Sequence, residues 1–159
     1  MDKFTINGGK SLNGVISISG AKNSVLPIMV ATIIAPGQYR LNNVPELADT
    51  LTMKRLIEMV GANVKFNNNI MEIDTSGCNT PVAPYELVKT MRASFYVLGP
   101  FMSRFKYAEV SLPGGCAWGP RPVNFHLQAL EELGAEVKLD NGMIITKGKL
   151  RGAPITFEK

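Results

Sequence analysis

A stretch of the first half of this chain is written again in the second, and that repeat limits the fold more than any other feature. Glu58, Gly61, Ala62, Val64, Lys65 and Asn68 recur 73 positions later as Glu131, Gly134, Ala135, Val137, Lys138 and Asn141. Each copy carries the same predicted order: helix, strand, helix, hairpin. In the first, an apolar helix over Val25 to Ala35 precedes a strand from Tyr39 to Val44. A second helix, capped by Asp49, carries Met53, Leu56, Ile57 and Val60 and stops at Gly61. Val64 and Phe66 then alternate with polar residues, and Asn67 to Asn69 turn the chain into Ile70 to Ile73. In the second copy, Pro84 opens a helix with Leu87, Val88, Met91, Phe95, Leu98 and Met102, bent or broken at Gly99-Pro100. Ala108 to Leu112 is a strand, and Asn124 caps a helix with Leu127, Leu130 and Leu133 that stops at Gly134. The turn Asp140-Asn141-Gly142 returns the chain to Met143 to Thr146. Repeated units of this kind pack around a shared core. Ahead of them, Phe4 to Ile6 and Val15 to Ser19 read as two short strands.

The first helix has apolar residues on every face, which predicts burial all round. Asn23 or Ser24 caps it, and Pro27 falls in its first turn. Lys22 therefore stands at a helix amino end, where the dipole does not favour a cation. A lysine there fits best if it shares an anion with the free backbone N–H groups. Between Glu86 and Glu131 the cations Lys89, Arg92, Arg104, Lys106 and Arg121 face only Glu109. That bias suits an anionic small molecule, or a solvated basic face. The net charge of +4 is mild and is no nucleic-acid signature. The longest apolar run, Val25 to Ala35, is too short to span a bilayer, and no signal-peptide pattern opens the chain. The expectation is a cytoplasmic protein without membrane or nucleic-acid partners.

The densest chemistry lies between Pro113 and His126. Three glycines and three prolines within Pro113 to Pro122 forbid regular structure there. Cys116 is thus on a loop whose glycines allow close approach of a ligand. Arg121 follows, a residue type that lowers a thiol pKa and holds anions. Cys116 and the other cysteine, Cys78, lack metal-type spacing, and Cys78 reads as structural or merely exposed. His126 is the single histidine, so neither a zinc site nor a Ser-His triad is expected.

The run Gly114-Gly-Cys-Ala-Trp-Gly-Pro-Arg-Pro-Val-Asn-Phe-His126 closely resembles the cysteine loop of the UDP-N-acetylglucosamine enolpyruvyl transferases, which open bacterial peptidoglycan synthesis. Lys22-Asn23 matches the same family, and the likeness extends along the whole chain. It implies an α/β (α+β) fold, the inside-out α/β barrel of repeated βαβαββ units, three per domain, with helices inside and sheets outside. About two of the three units of one domain fall in residues 22–159. Residues 1–21 would supply strands that pack with a second domain. The implied reaction moves an enolpyruvyl group from phosphoenolpyruvate to the 3-hydroxyl of UDP-N-acetylglucosamine and releases phosphate, with no cofactor and no metal. By the same resemblance Cys116 is the proton donor and covalent nucleophile, Lys22 and Arg121 are catalytic, and Lys22, Asn23, Cys116 and Arg121 meet phosphoenolpyruvate. Asn23, Arg92, Arg121, Pro122, Val123, Asn124, Phe125 and His126 meet the nucleotide sugar. For His126 a purely structural role is equally open.

Two positions depart from the family pattern: Trp118 stands where smaller or aliphatic residues are common, and Asn124 where aspartate is. Altered affinity is the expected consequence. Family members are more than twice this long, so the 159-residue chain is expected not to turn over by itself. Three rival readings stand beside it: the related transferase acting on shikimate 3-phosphate, an inert UDP-sugar-binding module of the same fold, and a thiol sensor built on Cys116. The first needs no cysteine loop, the second no thiol, and the third lacks a resolving cysteine nearby.

Overall fold

A computed structural model describes residues 3–89, 91–112 and 123–156. Its regular elements are helices α1 (Lys22–Ala31), α2 (Ala48–Met59), α3 (Tyr85–Val88), α4 (Leu98–Phe105) and α5 (Asn124–Glu132). The strands are β1 (Gln38–Leu41), β2 (Asn63–Asn67), β3 (Ile70–Asp74), β4 (Val82–Ala83), β5 (Tyr107–Ser111), β6 (Glu136–Asp140) and β7 (Met143–Lys147), and a 3-10 helix covers Arg92–Val97. The repeat is therefore a structural one. Its first copy forms the antiparallel sheet β1-β3-β2, and its second forms the sheet β4-β5-β7-β6.

Both hairpins turn where expected, and for the same reason. Asn68 and Asn69, then Asn141 and Gly142, all take positive φ, the conformation that two-residue hairpin loops demand. Tyr39 opposes Ile73 across β1 and β3, Phe66 opposes Met71 across β2 and β3, and Val110 opposes Ile144 across β5 and β7. Gly61 and Gly134 end the outer helices with φ of +110° and +91°. At Gly61 a side chain would also strike the Gly77 carbonyl at 2.7 Å.

One core joins the two units. Met29, Ile33, Met53, Leu56, Ile57, Met71, Ile73, Phe101 and Ile144 are fully buried within a single contiguous cluster. The helices contribute most of these side chains, and each sheet covers the cluster with one face.

Several expectations need correction. Helix α1 is buried on one side only: Val25, Leu26, Met29 and Val30 face inward, while Ile28 and Ile34 are each half exposed. The neighbouring α2 and the 3-10 helix cover that inner side and leave the other to solvent. Neither Asn23 nor Ser24 caps α1. Extended Ala21 precedes it and its carbonyl accepts the Ser24 and Val25 N–H groups. Pro27 consequently lies beyond the first turn. Asp49 and Asn124 are likewise not caps but residues inside the first turns of α2 and α5.

The long second-unit helix is broken earlier than Gly99-Pro100. It stops after Val88, passes through the 3-10 segment and resumes at Leu98. Gly99 and Pro100 fall in the first turn of α4, where a missing N–H has no intrahelical partner to lose. No strand occurs among residues 3–21. Phe4, Ile6, Val15, Ile16 and Ile18 are at least 85% exposed, because no sheet edge in the described residues pairs with them. The second unit does possess the corresponding strand, β4, which pairs in parallel with β5. At two residues, it was too short to read from sequence.

Candidate active site

The amino end of α1 is built by a close approach of two loops. The Gly20 N–H donates to Asn43 Oδ1 at 3.1 Å, and a Cβ on Gly20 would lie 2.0 Å from the Asn43 carbonyl oxygen. Only glycine fits there. Asn43 itself takes a φ of 55°, turning the chain from β1 toward α2. The result places Lys22, the first residue of α1, beside the first turn of α2. Lys22 Nζ lies 3.0 Å from Asp49 Oδ2, with the ammonium side chain 50% and the carboxylate side chain 32% exposed. Asn23 follows on the exposed face of α1. The N–H groups of Lys22 and Asn23 precede the first intrahelical bond, which runs from the Val25 N–H to the Ala21 carbonyl.

The second unit supplies the other described candidates. Arg92 is the first residue of the 3-10 helix, and Asn124, Phe125 and His126 form the first turn of α5 after Val123. The His126 ring meets Phe95 edge-on at 5.3 Å, tying α5 to the 3-10 helix. Next to this contact is a cavity of about 420 Å³ lined by Phe95, Tyr96, Leu98, Phe125 and His126 among others. His126 thus has a structural contact whatever else it does. Cys116, Arg121, Pro122 and Trp118 lie outside the described residues.

Among the described side chains, the basic run of the second unit does not form one anion-binding cluster. Arg104 donates to the carbonyls of Ile33, Thr75 and Cys78, so its guanidinium serves the backbone. Lys89 pairs with Glu86 and sits over the Tyr85 ring. Sequence reasoning also missed Asp49 as a partner of Lys22. The signal was present: a lysine at a helix amino end needs an anion, and Asp49 is an acid at the start of the adjacent helix.

Cys78 is buried, and desolvation raises its thiol pKa, with the charge of Arg104 only partly opposing that effect. Its thiolate is therefore scarce near neutral pH. Among the described residues no group of three or more His, Cys, Asp or Glu side chains is arranged to hold a metal ion, and no helix is long and apolar enough to cross a membrane.

One βαβαββ unit and one αβαββ unit around a common core, with a lysine at the start of the first helix, make up an enolpyruvyl-transferase architecture. Residues 6–159 match the profile of the EPSP synthase (3-phosphoshikimate 1-carboxyvinyltransferase) family, and the chain belongs to that family. Within it, the chain is 50% identical over 99% of its length to the UDP-N-acetylglucosamine 1-carboxyvinyltransferase of Chlorobaculum parvum. It is 48% identical over its full length to the protein of that name from Campylobacter hominis. It spans 38% of the length of either relative. Among solved structures, it superimposes on the enolpyruvyl transferase NikO from Streptomyces tendae with a TM-score of 0.74 at 23% identity, covering 92% of this chain and 32% of that one. The EPSP synthase of Acinetobacter baumannii gives 0.66 at 18% identity, over 87% of this chain and 33% of that one. These two likenesses bear on the fold alone. The expected fold class is thereby borne out.

Proposed function

We propose that this chain forms part of a UDP-N-acetylglucosamine 1-carboxyvinyltransferase, transferring the enolpyruvyl group of phosphoenolpyruvate to the sugar 3-hydroxyl in the cytoplasmic opening of peptidoglycan synthesis. The observation that carries this reading is the 48–50% identity, along essentially the whole chain, to relatives bearing that name.

The chemistry is addition followed by elimination. The sugar hydroxyl attacks the central carbon of phosphoenolpyruvate while a proton reaches its methylene carbon. Loss of that carbon's phosphate and of a proton from the resulting methyl group restores the double bond. Cys116 is the proton donor, and its sulfur is also able to add to the same central carbon. Lys22 and Arg121 neutralise the phosphate and carboxylate of phosphoenolpyruvate. The N–H groups at the start of α1 add uncharged donors beside Lys22, which fits an anion approaching that end of the helix. Asn23 and Arg92 bind the nucleotide sugar, and Arg121 to His126 hold its uridine end. Residues 1–21 pack with the second domain of the whole enzyme, which accounts for the exposed apolar side chains of that segment. These 159 residues span 38% of the length of the named relatives, and this reading assigns turnover to the longer protein.

Titration of the ¹⁵N-labelled chain with UDP-N-acetylglucosamine tests this reading. Saturable shifts at Asn23 and at Val123 to His126 are expected, with none on adding shikimate 3-phosphate and no phosphate release when phosphoenolpyruvate is present. The reverse ligand preference, or turnover by the chain alone, contradicts it.

A further inference from the structure

Lys22 carries its charge at the end of α1 where the helix dipole opposes it. Asp49 compensates. Its carboxylate lies 3.0 Å from the ammonium and occupies the first turn of α2, where a carboxylate is favoured by its own helix. Both groups keep contact with water, so the pair can open without a desolvation barrier. The Gly20–Asn43 contact holds the two helix starts together. Asp49 is thus an anion tethered beside Lys22, at an effective concentration on the order of millimolar or above.

Resting on the reading of Lys22 as a phosphoenolpyruvate-binding group, we propose that Asp49 is an internal competitor at that site: a carboxylate that occupies Lys22 until an anion of higher affinity displaces it. A free monocarboxylate gains little by entering, since it replaces a contact the ammonium already has. A ligand that joins phosphate to carboxylate behaves differently. It brings more charge to Lys22 and can also accept from the Lys22 and Asn23 N–H groups, which Asp49 leaves to solvent on this face. Once displaced, the Asp49 carboxylate remains stabilised by the amino end of α2, so its release is inexpensive. The pair therefore keeps weakly binding anions off Lys22 at concentrations where a tighter-binding substrate still enters.

The test uses the labelled chain and follows the Lys22 and Asn23 amide signals and the Lys22 side-chain signals. Acetate, inorganic phosphate and phosphoenolpyruvate are titrated separately into the unmodified chain, Asp49→Asn and Asp49→Glu. In Asp49→Asn the affinities for acetate, phosphate and phosphoenolpyruvate all rise by up to about fivefold, the scale set by an exposed ion pair. Asp49→Glu behaves as the unmodified chain. Asp49→Ser keeps an oxygen at the helix start without the charge, and it replaces the asparagine variant if that one misfolds. Unchanged or weaker acetate and phosphate affinity in the uncharged variant overturns the proposal, as does the absence of any anion response at Lys22. A gain for acetate and phosphate without phosphoenolpyruvate binding in any chain upholds the role of Asp49 and instead refutes the assignment of Lys22 to phosphoenolpyruvate.

Discussion

Replacing Phe101 with alanine is expected to lower the unfolding free energy by about 3–5 kcal/mol, as for other large aromatic truncations in cores. Phe101 is fully buried in α4 and packs edge-on against Phe105 at 6.1 Å. It belongs to the cluster that also holds Met29 and Ile33 of the first unit and Ile144 of the second. A cavity at this point removes contacts from both units at once, so denaturant unfolding should remain a single transition, shifted to lower midpoint. Leu139, on the more exposed strand β6, is 59% exposed, and its alanine variant should change stability by less than about 1 kcal/mol. Loss of one spectroscopic transition with retention of another would show that the two units have separate cores.

Replacing Arg104 with alanine should be nearly as damaging, by about 2–4 kcal/mol, through stranded acceptors and not through lost hydrophobic area. Its guanidinium reaches the Ile33 carbonyl at 3.1 Å, the Thr75 carbonyl at 3.0 Å and the Cys78 carbonyl at 3.3 Å. These belong to the end of the α1 segment and to the loop after β3, so one side chain of the second unit fastens two segments of the first. Lysine offers no planar fork to span three carbonyls and should recover less than half of the loss. Denaturant melts of the three proteins measure both effects. An Arg104→Ala midpoint equal to that of the parent would mean that water satisfies the three carbonyls equally well.

The parts of the fold that could be read in the sequence were those fixed by local chemistry. The turns read at Asn67 to Asn69 and Asp140 to Gly142 contain Asn68-Asn69 and Asn141-Gly142, which tolerate the positive φ a hairpin loop demands, and Gly61 and Gly134 mark helix ends. The 73-residue recurrence then ordered these pieces into units. What misled was punctuation whose meaning depends on position. Gly99-Pro100 signals a break inside a helix but is harmless in a first turn, and only the fold shows that α4 begins at Leu98. Val15 to Ser19 has strand-like residues, yet a strand exists only if an edge receives it. Of the candidate site, the position of Lys22 and Asn23 at the amino end of α1 was legible. Asp49 was hidden because its contact joins residues 27 positions apart, through a loop geometry set by Gly20 and Asn43.

The central claim is that Lys22, Asn23 and the Cys116 segment belong to a UDP-N-acetylglucosamine enolpyruvyl transferase site. The most direct test is intact-protein and peptide mass spectrometry after incubation with the electrophilic epoxide fosfomycin, with and without UDP-N-acetylglucosamine. The expected result is a single adduct on Cys116, formed faster with the nucleotide sugar, while Cys78 stays unmodified because it is buried and its thiolate disfavoured. A folded chain that leaves Cys116 untouched under both conditions, or that is modified at Cys78 instead, would contradict the claim.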